Sequence, residues 1–200
     1  MRRRHLVVFV ISLLAAGALP ALAGGNANFL LGARSAGSEE FWGDEQDQSV
    51  AGIMVDFGYE GWPIHLCLSN MDSSSDNEDN DGSISEIAIG VLKVWEGKGT
   101  IRPYVGGGVA NVIASFSTDV GFGDLVQHDS TGGLYIDAGV FWRTGKRFNV
   151  GIGARLMTLA DVEIQGVRGD ADYTQVHILA GWGWPRRERA AAAPPAGTTP

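Results

Sequence analysis

Leu134-Tyr135-Ile136-Asp137-Ala138-Gly139-Val140-Phe141-Trp142-Arg143, a break at Thr144-Gly145-Lys146, and Phe148-Asn149-Val150-Gly151-Ile152-Gly153-Ala154-Arg155-Leu156 decide the fold of this 200-residue chain. Leu134, Ile136, Ala138, Val140 and Trp142 alternate with Tyr135, Asp137, Gly139, Phe141 and Arg143. Phe148, Val150, Ile152, Ala154 and Leu156 alternate with Asn149, Gly151, Gly153 and Arg155. Neighbouring side chains of a strand point to opposite faces. Each run is therefore a strand with one apolar face and one face of charge and glycine, and the short break makes them a hairpin.

Six further runs of about ten residues repeat the pattern. Phe29, Leu31 and Ala33 alternate with Asn28, Leu30 and Arg34, and Ile53, Val55, Phe57 and Tyr59 with Met54, Asp56 and Gly58. Ile64, Leu66 and Leu68 alternate with His65, Cys67 and Ser69. Ile87, Ile89, Val91 and Trp95 share a face that also holds Lys93. Ile101, Val105 and Val109 oppose Arg102, Tyr104, Gly106 and Gly108, and Val176, Ile178, Ala180, Trp182 and Trp184 oppose Gln175, His177, Gly181 and Gly183.

The connections sort by length. Glu60–Pro63, Glu96–Gly99 and Thr144–Lys146 are three or four residues, whereas Ala36–Ser49, Asn70–Ser83, Ala114–Ser130 and Leu159–Asp170 are twelve to seventeen. An even number of alternating strands with short turns at one end and long loops at the other is the pattern of a transmembrane barrel. The fold expected is all-β: an eight-stranded antiparallel up-and-down transmembrane β-barrel with short periplasmic turns and long acidic extracellular loops. A closed barrel leaves no hydrogen-bonding edge in lipid, so the apolar face is assigned outward and the charged, glycine-rich face inward.

The N-terminus points to export. Arg2, Arg3 and Arg4 precede the apolar run Leu6–Pro20, and Ala21-Leu22-Ala23 ends it with small residues. This reads as a signal peptide over residues 1–23. Its removal takes away three arginines and no acid, moving the net charge from −8 to −11. The barrel is expected over residues 24–184. Pro185–Pro200, rich in Arg, Ala and Pro, reads as a disordered periplasmic tail. One cysteine, Cys67, excludes an intrachain disulfide. The long loops, taken through Asp172, hold seventeen acidic residues and one basic residue, Arg168. No basic patch suggests nucleic acid.

Aromatic residues gather near the short turns. Tyr59, Trp62, Trp95, Trp142, Trp182 and Trp184 are expected to form a membrane-interface girdle, with Lys93 snorkelling to the headgroups beside it.

The chain resembles the outer membrane β-barrel superfamily of small eight-stranded barrels, the OmpA/OmpX type. The likeness rests on Ile101–Gly108, on Val150–Arg155 and on the closing strand Gln175–Trp184. His177 and Trp182-Gly183-Trp184 match the assembly signal of such closing strands, while Leu179 stands where the family has glycine and the chain continues beyond the terminal aromatic. The resemblance implies outer-membrane lipid, lipopolysaccharide and the barrel assembly machinery as partners, together with an unidentified extracellular partner. No cofactor is expected.

Inside the barrel, Arg34, Arg102, Arg143 and Arg155 nearly balance Asp56, Glu86 and Asp137. Buried charges persist only when paired. Closing Tyr59 onto Ile64 sets Asp56 opposite Cys67 and diagonal to His65. Closing Trp142 onto Phe148 sets Tyr135 opposite Arg155 with Asp137 one step away. Two polar ladders follow, Asp137–Arg155–Tyr135 and Asp56–His65, with His177 also inward. The inward glycines leave room for long side chains and leave open a thin water-filled path.

Asn77–Ile84 echoes a calcium loop, with Asp79, Asp81 and the displaced Glu86 as weak candidate ligands, but its twelfth position is Ala88 rather than glutamate. A solvated acidic loop with weak divalent affinity is the default. Asp56, His65 and Cys67 suggest catalysis only superficially, since a narrow lumen admits no substrate. No outward histidine falls on any of these strands, and His128-Asp129 alone could serve a loop-rim hydrolase. The leading function is a non-enzymatic surface barrel. A small porin-like channel is the alternative, and the hydrolase is third.

Overall fold

The computed structural model describes residues 24–37, 39–58, 62–75, 80–95, 99–119, 124–145, 147–164 and 167–184. The signal-peptide and tail readings, Tyr59 and Asp79 fall outside these residues, and the side chain of Asp81 is likewise not described.

The alternating runs form β1 (Gly24–Ala36), β2 (Asp47–Gly58), β3 (Ile64–Ser74), β4 (Asn80–Val94), β5 (Ile101–Asp119), β6 (Asp124–Thr144), β7 (Phe148–Thr158) and β10 (Tyr173–Trp184). They pair antiparallel, each with its chain neighbour, and β1 closes on β10 to complete an eight-stranded barrel. Between β1 and β2 lie the one-turn helix α1 (Glu39–Trp42) and a 3-10 turn. Between β7 and β10 lies a separate hairpin, β8 (Asp161–Ile164) and β9 (Val167–Asp170). Gly25 pairs with Trp184, so both ends of the barrel chain sit at the end carrying the short turns.

The apolar face looks outward. Phe29, Leu31, Ile89, Val109, Ile136, Ile152 and Ile178 are exposed, while Arg34, Asp56, Glu86, Asp137 and Arg155 are buried. This is the inverse of a water-soluble sheet, and it fits an apolar surrounding.

Two expectations need correction. The strands are longer than about ten residues: β5 has 19 and β6 has 21. Most of Asn70–Ser83 and Ala114–Ser130 is strand rather than loop. The reason is a swap of parity. Toward the loop end the outward positions become polar (Asn70, Asp72, Ser85, Asn111, Ser115), while inward Met71, Ile84, Val112 and Ala114 are fully buried. The two-residue period continues, but its apolar member changes sides, the pattern expected of an outer face that passes from an apolar surrounding into water.

The β6–β7 turn also closes two residues later than expected. Thr144 pairs with Phe148, so Asp137, not Tyr135, lies opposite Arg155. Gly145 makes this tight turn with φ of 66°, a left-handed conformation that glycine adopts without penalty. The β2–β3 register sets Asp56 opposite Cys67.

Candidate functional site

The lumen is layered. At the turn end Asn26 Nδ2 donates to both oxygens of Asp56 at 2.9 and 3.1 Å, and His65 Nδ1 lies 2.5 Å from Asp56 Oδ1. Arg143 Nη2 donates to Asn26 Oδ1 at 2.6 Å and its Nε to Asn149 Oδ1 at 3.0 Å. Asn149 Nδ2 closes the ring onto Asn26 Oδ1 at 2.8 Å. Arg102 stands half-buried on β5, opposite Phe141.

Above this the lumen is apolar. Tyr104 stacks on Phe141 with centroids 4.6 Å apart, and Leu30, Met54, Cys67, Leu92 and Leu179 fill the remaining width. The inward glycines accept these groups: a Cβ on Gly139 would meet the Tyr104 ring at 2.7 Å, and one on Gly151 would meet Leu179 at 2.7 Å. Side chains therefore occupy the space that the sequence left open as a water-filled path. His177 lies here too, its Nδ1 accepting from Gln175 Nε2 at 3.2 Å and its Nε2 3.5 Å from the Tyr104 hydroxyl.

The central layer is ionic. Glu86 bridges two arginines, with Oε1 2.5 Å from Arg155 Nη1 and Oε2 3.5 Å from Arg34 Nη2. The Tyr173 hydroxyl donates to the same carboxylate. Arg155 reaches Asp137 Oδ2 through Nε at 3.0 Å and Nη2 at 2.9 Å, and Ser69 Oγ at 3.2 Å. Arg34 donates to Gln175 Oε1 at 2.9 and 3.1 Å and to Ser73 Oγ at 3.1 Å. Each guanidinium also lies over an aromatic ring, Arg34 over Tyr173 at 3.8 Å and Arg155 over Tyr135 at 4.3 Å. Two cations and two carboxylates neutralise one another out of water, which is the condition for burying them. Glu86 is thereby committed to two arginines in the lumen. This corrects its candidacy as a metal ligand.

The loop end carries an apolar cap. Trp42 of α1 is buried among Ala36, Val112, Ala160, Val162, Ala171 and Tyr173. Its ring lies 4.7 Å from that of Phe116 on β5, and Phe41 meets both rings edge-on at 5.6 Å. The Trp42 indole N–H donates to the Asp170 carbonyl at 2.8 Å, tying the β1–β2 connection to β9. Asp129 Oδ2 accepts from the Glu163 N–H at 2.8 Å, holding β8 against β6. The backbone N–H groups of Glu163 and Ser130 hold the Asp129 carboxyl below the usual aspartate value.

The structure thus brings Arg34, Glu86, Arg155, Asp137 and Tyr135 into one cluster and Asp56 with His65 into a second. The sequence reading missed Asn26, Asn149, Ser69, Ser73 and Tyr173 as partners. All five occupy inward positions, so parity was the available signal. Trp62, Trp95, Trp142 and Trp182 are exposed at the turn end, whereas Trp184 is half-buried with its ring 5.9 Å from Phe57. Cys67 is a buried free thiol. His128 corrects the expectation that no strand carries an outward histidine: the longer β6 includes it, exposed and opposite Ser115. Among the described residues no group of three His, Cys, Asp or Glu could hold a metal ion.

No family model and no curated protein matches the chain. Solved structures do. Neisserial surface protein A (NspA) superposes with a TM-score of 0.59 at 13% identity, over 80% of this chain and 96% of that one. Ail, the attachment invasion locus protein of Yersinia pestis, gives 0.55 at 14%, over 81% and 97%. A second Ail structure, in complex with the heparin analogue sucrose octasulfate, gives 0.54 at 11%, over 82% and 99%. A major outer membrane protein from Thermus thermophilus gives 0.51 at 12%, over 81% and 99%. At these identities the likeness establishes the fold.

Proposed function

We propose that the chain is an integral outer-membrane protein, exported by cleavage near Ala23, with its turn end periplasmic and its loop end facing out. It works as a non-enzymatic, non-conducting barrel that presents an acidic rim to an extracellular partner. The observation that supports this best is the filled lumen. An ionic layer around Glu86, an apolar layer around Tyr104 and Phe141, and the Trp42 cap follow one another along the axis. A solute would have to displace all three. Small eight-stranded barrels are filled in this way by their own side chains.

Interaction is then left to the exterior. Ail was solved with a polyanion, but the charge here is opposite: seventeen acids against Arg168 in the four loop-end segments. A cationic partner is the complementary one. Lipopolysaccharide would approach this rim through bridging divalent cations.

Planar-bilayer recording with the refolded full-length protein tests the closed lumen, and steady single-channel openings would overturn it. A binding assay with poly-lysine and heparin tests the rim. Salt-sensitive binding of poly-lysine alone is expected, and preference for heparin would refute the cationic partner.

A further inference from the structure

Among the described residues, the turn-end rim presents two cations that each stand beside an indole. Lys93 is on the outward face of β4. Its cross-strand neighbours are Ile64 and Val105, and Val91 and Trp95 flank it along the strand. Its Nζ stands 6.0 Å from the Trp95 ring centroid. Arg147 repeats the arrangement in the β6–β7 turn, its guanidinium 6.0 Å from the Trp182 ring, and Trp182 pairs with Phe148 below it. The Arg147 carbonyl accepts from the Gly183 N–H at 2.5 Å, which fixes the turn against β10. Among the described residues neither cation has a carboxylate at ion-pairing distance.

A cation on an apolar wall reaches for polar groups at the level where the wall ends, and an anion there stabilises it further. Trp62, Ile64, Val105, Trp142 and Phe148 are exposed around these sites, so the ligand must also cover apolar surface. An acidic soluble protein would answer the charge and leave the wall bare. An amphiphile with a phosphate head and acyl chains answers both. We propose that Lys93 with Trp95, and Arg147 with Trp182, form two headgroup sites that select anionic phospholipid over zwitterionic phospholipid in the leaflet at the turn end. This rests on the membrane reading above and goes beyond it by naming a lipid class and the residues that choose it.

Spin-labelled lipid association with the full-length barrel in phosphatidylcholine vesicles tests the sites. The ratio of labelled phosphatidylglycerol to labelled phosphatidylcholine in the motionally restricted shell is the readout. A basic side chain near an anionic surface is worth roughly 1 kcal/mol, or about fivefold. The wild-type ratio is expected to exceed one and to fall with added salt. Lys93→Gln and Arg147→Gln should each lower it by up to about fivefold, Lys93→Arg should retain it, and Arg168→Gln at the opposite end should leave it unchanged. A ratio that is unchanged in the Lys93→Gln/Arg147→Gln double variant would overturn the proposal, since the C-terminal arginines are present in every protein compared. Failure of the wild type to insert into the vesicles would instead sink the membrane reading, because insertion is scored separately by a heat-modifiable band.

Discussion

Glu86→Gln removes one charge and almost no volume from the middle of the lumen. Arg155 keeps Asp137 at 2.9–3.0 Å and Ser69 at 3.2 Å. Arg34 retains only neutral partners within hydrogen-bonding reach, Gln175 and Ser73. The central layer passes from neutral to one excess positive charge, with both guanidinium groups fully buried. Leaving a buried ion without its partner costs about 3–5 kcal/mol. Coulomb energy at a dry-interior dielectric would give far more, but side-chain relaxation and residual hydration reduce it. Guanidinium titration of the barrel refolded in vesicles, followed by tryptophan emission and by the heat-modifiable band, should show a loss in that range. Combining Glu86→Gln with Arg34→Gln restores neutrality and should recover at least half of it, a coupling that a double-mutant cycle isolates. A single-variant loss below about 1 kcal/mol would mean that the arginines are already screened by water, and the argument for a dry, closed lumen would fail.

Trp42→Ala deletes the centre of the cap, and losing a buried aromatic costs about 3–5 kcal/mol. Cleavage by trypsin after Arg168, the one basic residue in the loop-end segments, should speed up at least tenfold by local opening while the barrel stays intact. An unchanged rate would show that α1 and the β8–β9 hairpin are not coupled. Gly139→Ala should destabilise by about 1–3 kcal/mol through overpacking against the Ile152 carbonyl oxygen and the Tyr104 ring, whereas Gly132→Ala, whose Cβ would meet nothing nearer than 3.9 Å, should be close to neutral. Equal effects would contradict a filled lumen. The depressed Asp129 pKa stabilises the docked hairpin above the ordinary aspartate value of about 3.9, and this contribution is lost as pH falls through the lower folded value. The Glu163 amide resonance should therefore titrate with a midpoint below about 3.9, and a midpoint at or above it would remove the Asp129 contact.

The barrel was legible because its middle obeys one parity rule, with apolar residues out and charge or glycine in. Asp56 opposite Cys67 followed from that rule and a short turn. The rule fails in two physical circumstances. Where the outer face meets water, Asp72 and Ser85 point out while Met71 and Ile84 point in, so a reading that tracks outward apolar residues loses the strand there. Inward apolar residues were the second blind spot. Leu30, Leu92 and Leu179 look out of place on a polar face until the glycines opposite them, Gly52, Gly106 and Gly151, are seen as their sockets. Within the ionic cluster, composition supplied the arginines and carboxylates. The sharing of Glu86 between Arg34 and Arg155 was not legible, because β1, β4 and β7 are not neighbours and meet only across the closed lumen. Trp42 was equally hidden, since no period marks a four-residue helix.

Quenching by phospholipid brominated at mid-chain tests the sidedness of the barrel most directly. Two chains are compared, each with the six native tryptophans replaced by phenylalanine, one carrying Ile136→Trp on the outward face of β6 and the other carrying Phe141→Trp as a single inward reporter. Strong quenching of the outward reporter and little quenching of the inward one is the expected result. The reverse pattern would place the apolar face inside and contradict a membrane-spanning barrel with a packed polar lumen.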